Sequence, residues 1–206
     1  MGDKPESIKI AFLGSCGVGK TCIAQRYINN SFQENYISTT ASYLHKIITR
    51  NNKYYQLDIW DTAGQEKFRA LGKNFYKDAF IVILVYDITR NDSFDELKKI
   101  WYPDVLQYGE KKPILAVVGN KCDLYEEKEI VDEDEARKFA EEINAKFMIV
   151  SAKSNINIQN LFSDLINLYF DSKFQNEVAK KKSPRNNSTR LENNNTTDVK
   201  KKKACC

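Results

Sequence analysis

A lysine and a hydroxyl residue close the run Gly14-Ser15-Cys16-Gly17-Val18-Gly19-Lys20-Thr21. Glycines at that spacing let the main chain curl tightly, so that successive backbone N–H groups face one concave point and form an anion site. Lys20 adds a point charge for the outer phosphates of a nucleoside triphosphate, and the Thr21 hydroxyl suits Mg²⁺. Three more polar clusters carry chemistry. Asp61-Thr62-Ala63-Gly64-Gln65-Glu66 offers an acid for a metal, a glycine whose N–H can approach a phosphate, and a glutamine long enough to orient water. In Asn120-Lys121-Cys122-Asp123 the carboxylate can accept two N–H bonds from a guanine edge; adenine would leave it unpaired, which strongly rejects that base. In Ser151-Ala152-Lys153 a backbone N–H can donate to the guanine oxygen.

Each cluster follows an apolar run that reads as a strand. Ile8–Leu13 precedes the glycine loop, and a helix from Thr21 to Asn29 follows it, the strand–loop–helix context of a phosphate-binding loop. Asn29–Thr40 reads as a long functional loop. Tyr43–Thr49 and Tyr54–Trp60 read as strands joined by a turn at Asn51-Asn52-Lys53. Asp61 to Gly72 reads as a polar loop entering a helical stretch. Phe80–Tyr86 is apolar throughout, as in a strand covered on both faces of a parallel sheet. Asn91-Asp92-Ser93 offers a cap for a helix reaching Tyr108, with Phe94, Leu97, Ile100 and Trp101 on one side. Beyond it come a strand at Ile114–Val118 and a helix at 132–143 burying Ala136, Phe139, Ala140 and Ile143. A strand at Phe147–Val150 leads to a last helix at 158–170, striped by Ile158, Leu161, Phe162, Leu165, Leu168 and Tyr169. Strands alternating with helices predict a three-layer α/β domain, a mostly parallel six-stranded sheet with helices on both faces. In such sheets ligands sit beyond the carboxyl ends of the strands, where all four clusters fall.

The chain has 206 residues, one domain and a tail. From Gln175 onward, nine Lys/Arg against three acids give the tail +6 of a formal +4, leaving the body at −2. The expected division is a flexible 1–7, a folded 8–174, and a basic 175–206 too poor in apolar residues to fold. No run approaches the roughly 18 apolar residues of a membrane span, and Met1–Glu6 has no secretory signal. Glu6 stands where a myristoylation motif at Gly2 wants Ser or Thr. Five unpatterned cysteines fit reduced thiols in the cytosol, and the one histidine, His45, reads as a strand side chain.

The four clusters, in this order, resemble those of the Ras-like small GTPases over residues 8–170. That resemblance implies nucleotide contacts from Ser15, Cys16, Gly17, Val18, Gly19, Lys20, Thr21 and Cys22, and packing of Phe32 and Tyr36 about the nucleotide. It implies a base site of Asn120, Lys121, Asp123, Ser151, Ala152 and Lys153. Thr21, Thr39 and Asp61 would serve Mg²⁺, Thr39 and Gly64 would close on the γ-phosphate, and Gln65 would position the attacking water. The substrate and product are then GTP and GDP, and no arginine is obviously placed in cis, so an activating protein should supply one, worth about 10³–10⁵ in rate.

Within that group Leu84-Val85-Tyr86-Asp87-Ile88-Thr89, Gln65-Glu66-Lys67-Phe68-Arg69 and Phe75-Tyr76-Lys77-Asp78-Ala79 resemble the Rab branch. Ala70-Leu71-Gly72 and the small residues after Thr40 are similar to its endosomal members. Cys205 and Cys206 look like a double-cysteine end for two geranylgeranyl groups, which satisfies the two-signal rule for stable anchoring, with Lys200–Lys203 beside an anionic leaflet. The tail lacks the aromatics or folded module of a nucleic-acid binder. Implied partners are an exchange factor, an activating protein, a GDP dissociation inhibitor, an escort protein with a geranylgeranyl transferase, and effectors meeting a monomer at Leu44, Trp60 and Phe75. Two features depart from the branch: Thr40-Ala41-Ser42-Tyr43-Leu44 replaces its usual Ile-Gly-Val-Asp-Phe, and Cys16 stands where serine is common. They motivate an alternative, a GTP-bound trafficking scaffold that hydrolyses slowly or not at all. The glycine loop alone would also admit an ATP-dependent small-molecule kinase, against which Asp123 argues.

Overall fold

Six strands form one sheet in the order β2-β3-β1-β4-β5-β6. They are β1 (Glu6–Leu13), β2 (Ala41–Arg50), β3 (Lys53–Thr62), β4 (Ile81–Asp87), β5 (Ile114–Asn120) and β6 (Lys146–Ile149). Only the β2–β3 pair is antiparallel. The computed structural model describes residues 4–34, 41–62, 76–109, 112–125 and 131–182, without the side chains of 41, 62 and 176–182. The helical stretch expected after Gly72 begins outside those residues.

Asn51 and Asn52 join β2 to β3 with φ of 50° and 59°, the left-handed geometry a two-residue hairpin requires and asparagine tolerates. The turn fixes the register, Arg50 opposite Lys53 and hence Tyr43 opposite Trp60. The central strand β4 is buried at all seven positions, as its unbroken apolar sequence predicts.

Helices cover both faces. Helix α1 (Lys20–Asn29) and the last helix, α4 (Ile158–Lys182), pack Ile23, Tyr27, Leu161 and Phe162 over Ile10, Phe12, Leu57 and Ile83. On the other face lie α2 (residues 91–108) and α3 (Glu133–Glu142), whose Phe94, Leu97, Ala136 and Ala140 meet Leu13, Leu84 and Val117. The rod α2 is α-helical over Asn91–Glu96, a π-turn over Leu97–Trp101, and α-helical again over Tyr102–Tyr108. Pro103 explains the wide turn: it has no N–H for the Lys99 carbonyl and its ring crowds that oxygen. The chain instead bonds Tyr102 N–H to Leu97 O, five residues back.

Three details differ from the sequence expectations. Arg90, not Asn91, caps α2; Asn91-Asp92-Ser93 form its first turn, and the Ser93 hydroxyl reaches back to Arg90 O at 2.7 Å. Leu168 is 42% exposed, and Ile166 takes the buried place. Helix α4 runs past Phe170 to Lys182, into the segment whose composition suggests no fold. Good helix formers continue there, Lys173 pairs with Glu6 at 2.5 Å, and Pro184 disfavours helix at the residue before it.

Tyr27 and Phe162 stack with ring centroids 3.6 Å apart, joining α1 to α4 over the sheet. Phe162→Ala should destabilise the protein by about 3–5 kcal/mol, the usual cost of deleting a buried aromatic; chemical denaturation measures it.

Candidate functional site

The carboxyl ends of β1, β3, β4, β5 and β6 lie along one edge of the sheet, and the polar clusters gather there. The loop after β1 depends on its glycines at two points. A Cβ on Gly14 would stand 2.1 Å from Val85 O, and one on Gly19 would stand 2.2 Å from Asn120 Nδ2. Gly19 also has φ +95° and caps α1 without a side-chain acceptor, so that helix start is open to an anion. Lys20 is buried at the first position of α1, and its ammonium donates to Gly14 O at 2.8 Å and Ser15 O at 2.9 Å. Burial lowers its pKa to about 8, held up in part by Asp61 and Cys16. Ser15 and Val18 are buried, while Cys16 and Gly17 face solvent on the outer turn.

Asp61 ends β3 beneath this loop, inside the strand rather than in the polar loop expected there. Its Oδ2 accepts from Thr21 Oγ1 at 2.5 Å and from Ser42 Oγ at 3.2 Å. Its Oδ1 is buried with no hydrogen-bond partner among the described residues. Burial raises the Asp61 pKa, against the Thr21 hydrogen bond and the Lys20 charge. A buried carboxylate with one unmatched oxygen beside a hydroxyl fits a hard divalent cation or its water shell. Among the described residues no three His, Cys, Asp or Glu side chains cluster for a metal.

At the base end, Ser151 Oγ donates to Asp123 Oδ1 at 2.6 Å and accepts from Ser154 N–H at 2.9 Å. Asn120 joins the two ends: its Nδ2 donates to Val18 O at 2.8 Å and its Oδ1 accepts from Ala152 N–H at 3.2 Å. Lys121, at φ 72°, pairs with the buried Asp87 at 2.6 Å, and Lys153 reaches Glu34 at 3.1 Å. Cys22 is half-buried, and burial raises its thiol pKa. The sites assigned to Tyr36, Thr39, Gly64, Gln65, Phe75, Cys205 and Cys206 lie outside the described residues.

Two supporting residues escaped the motif reading. Arg26 of α1 donates from Nε to Ala152 O at 2.8 Å and from Nη2 to Lys153 O at 2.9 Å. Its guanidinium also lies 5.9 Å from the Phe32 ring, so one α1 side chain braces the base loop and the aromatic together. Asp87, quoted only as part of a resemblance, holds Lys121 and caps Thr89 through N–H at 2.9 Å.

On the outer face of β2 and β3, Leu44 does not accompany Trp60; it packs against the core. Tyr43 stands there instead, 47% exposed, edge-on to Trp60 at 5.1 Å and donating to Asp58 at 2.5 Å. Period-two alternation from the hairpin already required this, since Tyr43 opposes Trp60. Lys9 lies over the same indole at 5.1 Å.

The family model described as the Ras family matches residues 9–171. The chain is similar to Ras-related protein Rab-22A of Homo sapiens, 40% identical over 159 residues covering 77% of this chain and 81% of that protein. Ras-related protein Rab-31 of Rattus norvegicus is 39% identical over 159 residues, 77% and 80% of the two chains. Ras-related protein Rab-21 of Bos taurus is 42% identical over 175 residues, 84% and 78%.

The Lys20 shift has a measurable sign. Its folded pKa of about 8 lies below the ordinary 10.5, so between those values the unfolded chain binds the proton more tightly. Unfolding free energy of the nucleotide-free protein should therefore rise with pH across that window. Subtracting the profile of Lys20→Met isolates the slope; identical profiles would show that burial does not perturb this ammonium.

Proposed function

The chain belongs to the Ras family, in its Rab branch, and from that premise we propose that it is a GTP-hydrolysing switch anchored to intracellular membranes. The observation that carries the guanine reading is the Asp123 carboxylate, fixed by Ser151 on the loop that Asn120 ties to the glycine loop. A carboxylate in that position selects a base edge with two N–H donors. Lys20 exchanges the Gly14 and Ser15 carbonyls for phosphate oxygens, which restores the charge that burial disfavours. The N–H groups at the start of α1 take the inner phosphates. Thr21 and Asp61 would hold Mg²⁺, which neutralises charge on the outer phosphates when bound.

The family resemblance adds the parts of the cycle. Thr39 and Gly64 close on the γ-phosphate and let go after hydrolysis, the order–release transition by which such switches signal. Gln65 positions water, and an activating protein supplies an arginine. An exchange factor reloads GTP. Effectors read Trp60 together with Tyr43, and the resemblance adds Phe75 to the residues they meet. Two prenyl groups on Cys205 and Cys206, attached through the escort protein and transferase, hold the chain on a membrane of the endosomal system, and a GDP dissociation inhibitor returns it to the cytosol. No helix among the described residues is long and apolar enough to cross a membrane.

Competition against labelled GDP tests the base site. GTP should displace it while ATP fails, and Asp123→Ala should weaken GDP binding by about 10²-fold or more through the lost charged hydrogen bonds. Phosphate release tests the switch: slow release from the purified protein, slower still in Gln65→Leu, is expected. No release over hours, with or without an activating protein, would replace the switch by the GTP-bound scaffold.

A further inference from the structure

The first turn of the phosphate loop is gripped from α2 at two consecutive residues. Ser15 is 3% exposed, and its hydroxyl donates to the Glu96 carboxylate. One residue on, Arg90 Nη1 donates to Cys16 O at 2.9 Å. Arg90 is not a loose surface arginine. Asp92 accepts from its Nε at 3.3 Å and its Nη2 at 2.6 Å, so the planar fork is fixed in direction. Its backbone is fixed as well, with its N–H on Asp87 O at 3.0 Å and its carbonyl accepting from Ser93 Oγ at 2.7 Å. Asp87 in turn holds Lys121 of the base loop. The turn from β4 into α2 thus reaches the base loop with one residue and the outer phosphate turn with another.

We propose that Arg90 and Glu96 are positioning residues that set where the Ser15–Cys16 turn meets the outer phosphates. This rests on the reading of Gly14–Thr21 as the phosphate loop. A curled loop presents its N–H groups to an anion only while its carbonyls are turned outward, and Arg90 occupies one of those carbonyls. Glycine at position 17 leaves the turn with little stiffness of its own. Glu96 anchors the preceding residue through the buried Ser15 hydroxyl. Because Cys16 belongs to the outer turn, the brace should matter more for a triphosphate than for a diphosphate.

Release of fluorescent GDP and of a fluorescent non-hydrolysable GTP analogue from the full chain tests this. Arg90→Ala and Glu96→Ala should each speed release of the triphosphate by about three- to tenfold, the worth of one hydrogen bond, with a smaller effect on GDP. Arg90→Lys should restore part of the loss, since an ammonium can still reach the carbonyl but lacks the fork to Asp92. Ser15→Ala combined with Glu96→Ala should release no faster than the single variants, because the two act through one contact. Equal acceleration for both nucleotides, or additive effects of Ser15→Ala and Glu96→Ala in folded protein, would overturn the proposal. Failure of the unaltered chain to bind either nucleotide would instead overturn the phosphate-loop reading beneath it.

Discussion

The Asn120 side chain is the contact on which the arrangement of the site depends. It ends the buried strand β5 and reaches backward to the glycine loop and sideways to the Ser151 loop, using both ends of one amide. Phosphate and base lie at opposite ends of a nucleotide, so a site that binds both must keep two loops at a set separation. A neutral amide does this without adding charge to a place that must accept an anion. The contact is also why position 19 must be glycine: any Cβ would collide with the amide that holds the loops together.

Around that bridge the site keeps two charges out of water before any ligand arrives. Burying an ammonium or a carboxylate is costly unless each is matched. Lys20 is matched by two carbonyls, and Asp61 by two hydroxyls on one oxygen, with the other oxygen left over. Those are weaker partners than phosphate and a divalent cation. The opposed pKa shifts, Lys20 down and Asp61 up, express the same imbalance from both sides. On the proposed function a phosphate and a divalent cation would relieve both at once, so nucleotide and metal would support each other thermodynamically.

The sequence disclosed the parts that depend on order along the chain. The glycine spacing, the unbroken apolar strand β4 and the Asn51-Asn52 turn each depend on a few neighbouring residues, and each stands as expected. What it concealed depends on contacts between distant segments. Nothing beside Arg26 or Arg90 in the chain marks them; the fold carries them to carbonyls at positions 152 and 16. Leu168 fits a helical stripe on paper, yet it stands exposed to solvent and Ile166 turns inward. The π-turn was signalled by Pro103, but a helix pattern with a proline inside it admits a kink, a break or a wide turn, and packing of Leu97 and Trp101 against β4 chooses among them. The stretch Thr40-Ala41-Ser42-Tyr43-Leu44 departs from the family pattern, and there the strand period decides the faces: Tyr43, opposite Trp60, stands outward and Leu44 packs toward the core.

That departure bears on how the outer face signals. Tyr43, Trp60 and Lys9 stand on strands paired through a hairpin whose register is fixed at Asn51-Asn52, far from the nucleotide. Asp58 orients Tyr43 from below and accepts from Ser7 of β1 as well, so three strands hold one phenol. A partner reading this patch meets a surface with little freedom to change on its own. On the proposed function, nucleotide sensitivity would enter through the ends of the two strands. Ser42 and Asp61 face each other there, and Asp61 is the carboxylate beneath the glycine loop. Any movement of Asp61 toward a cation shifts the partner of Ser42, the residue just before Tyr43. On the proposed function, the route from phosphate to partner surface would be one strand pair long.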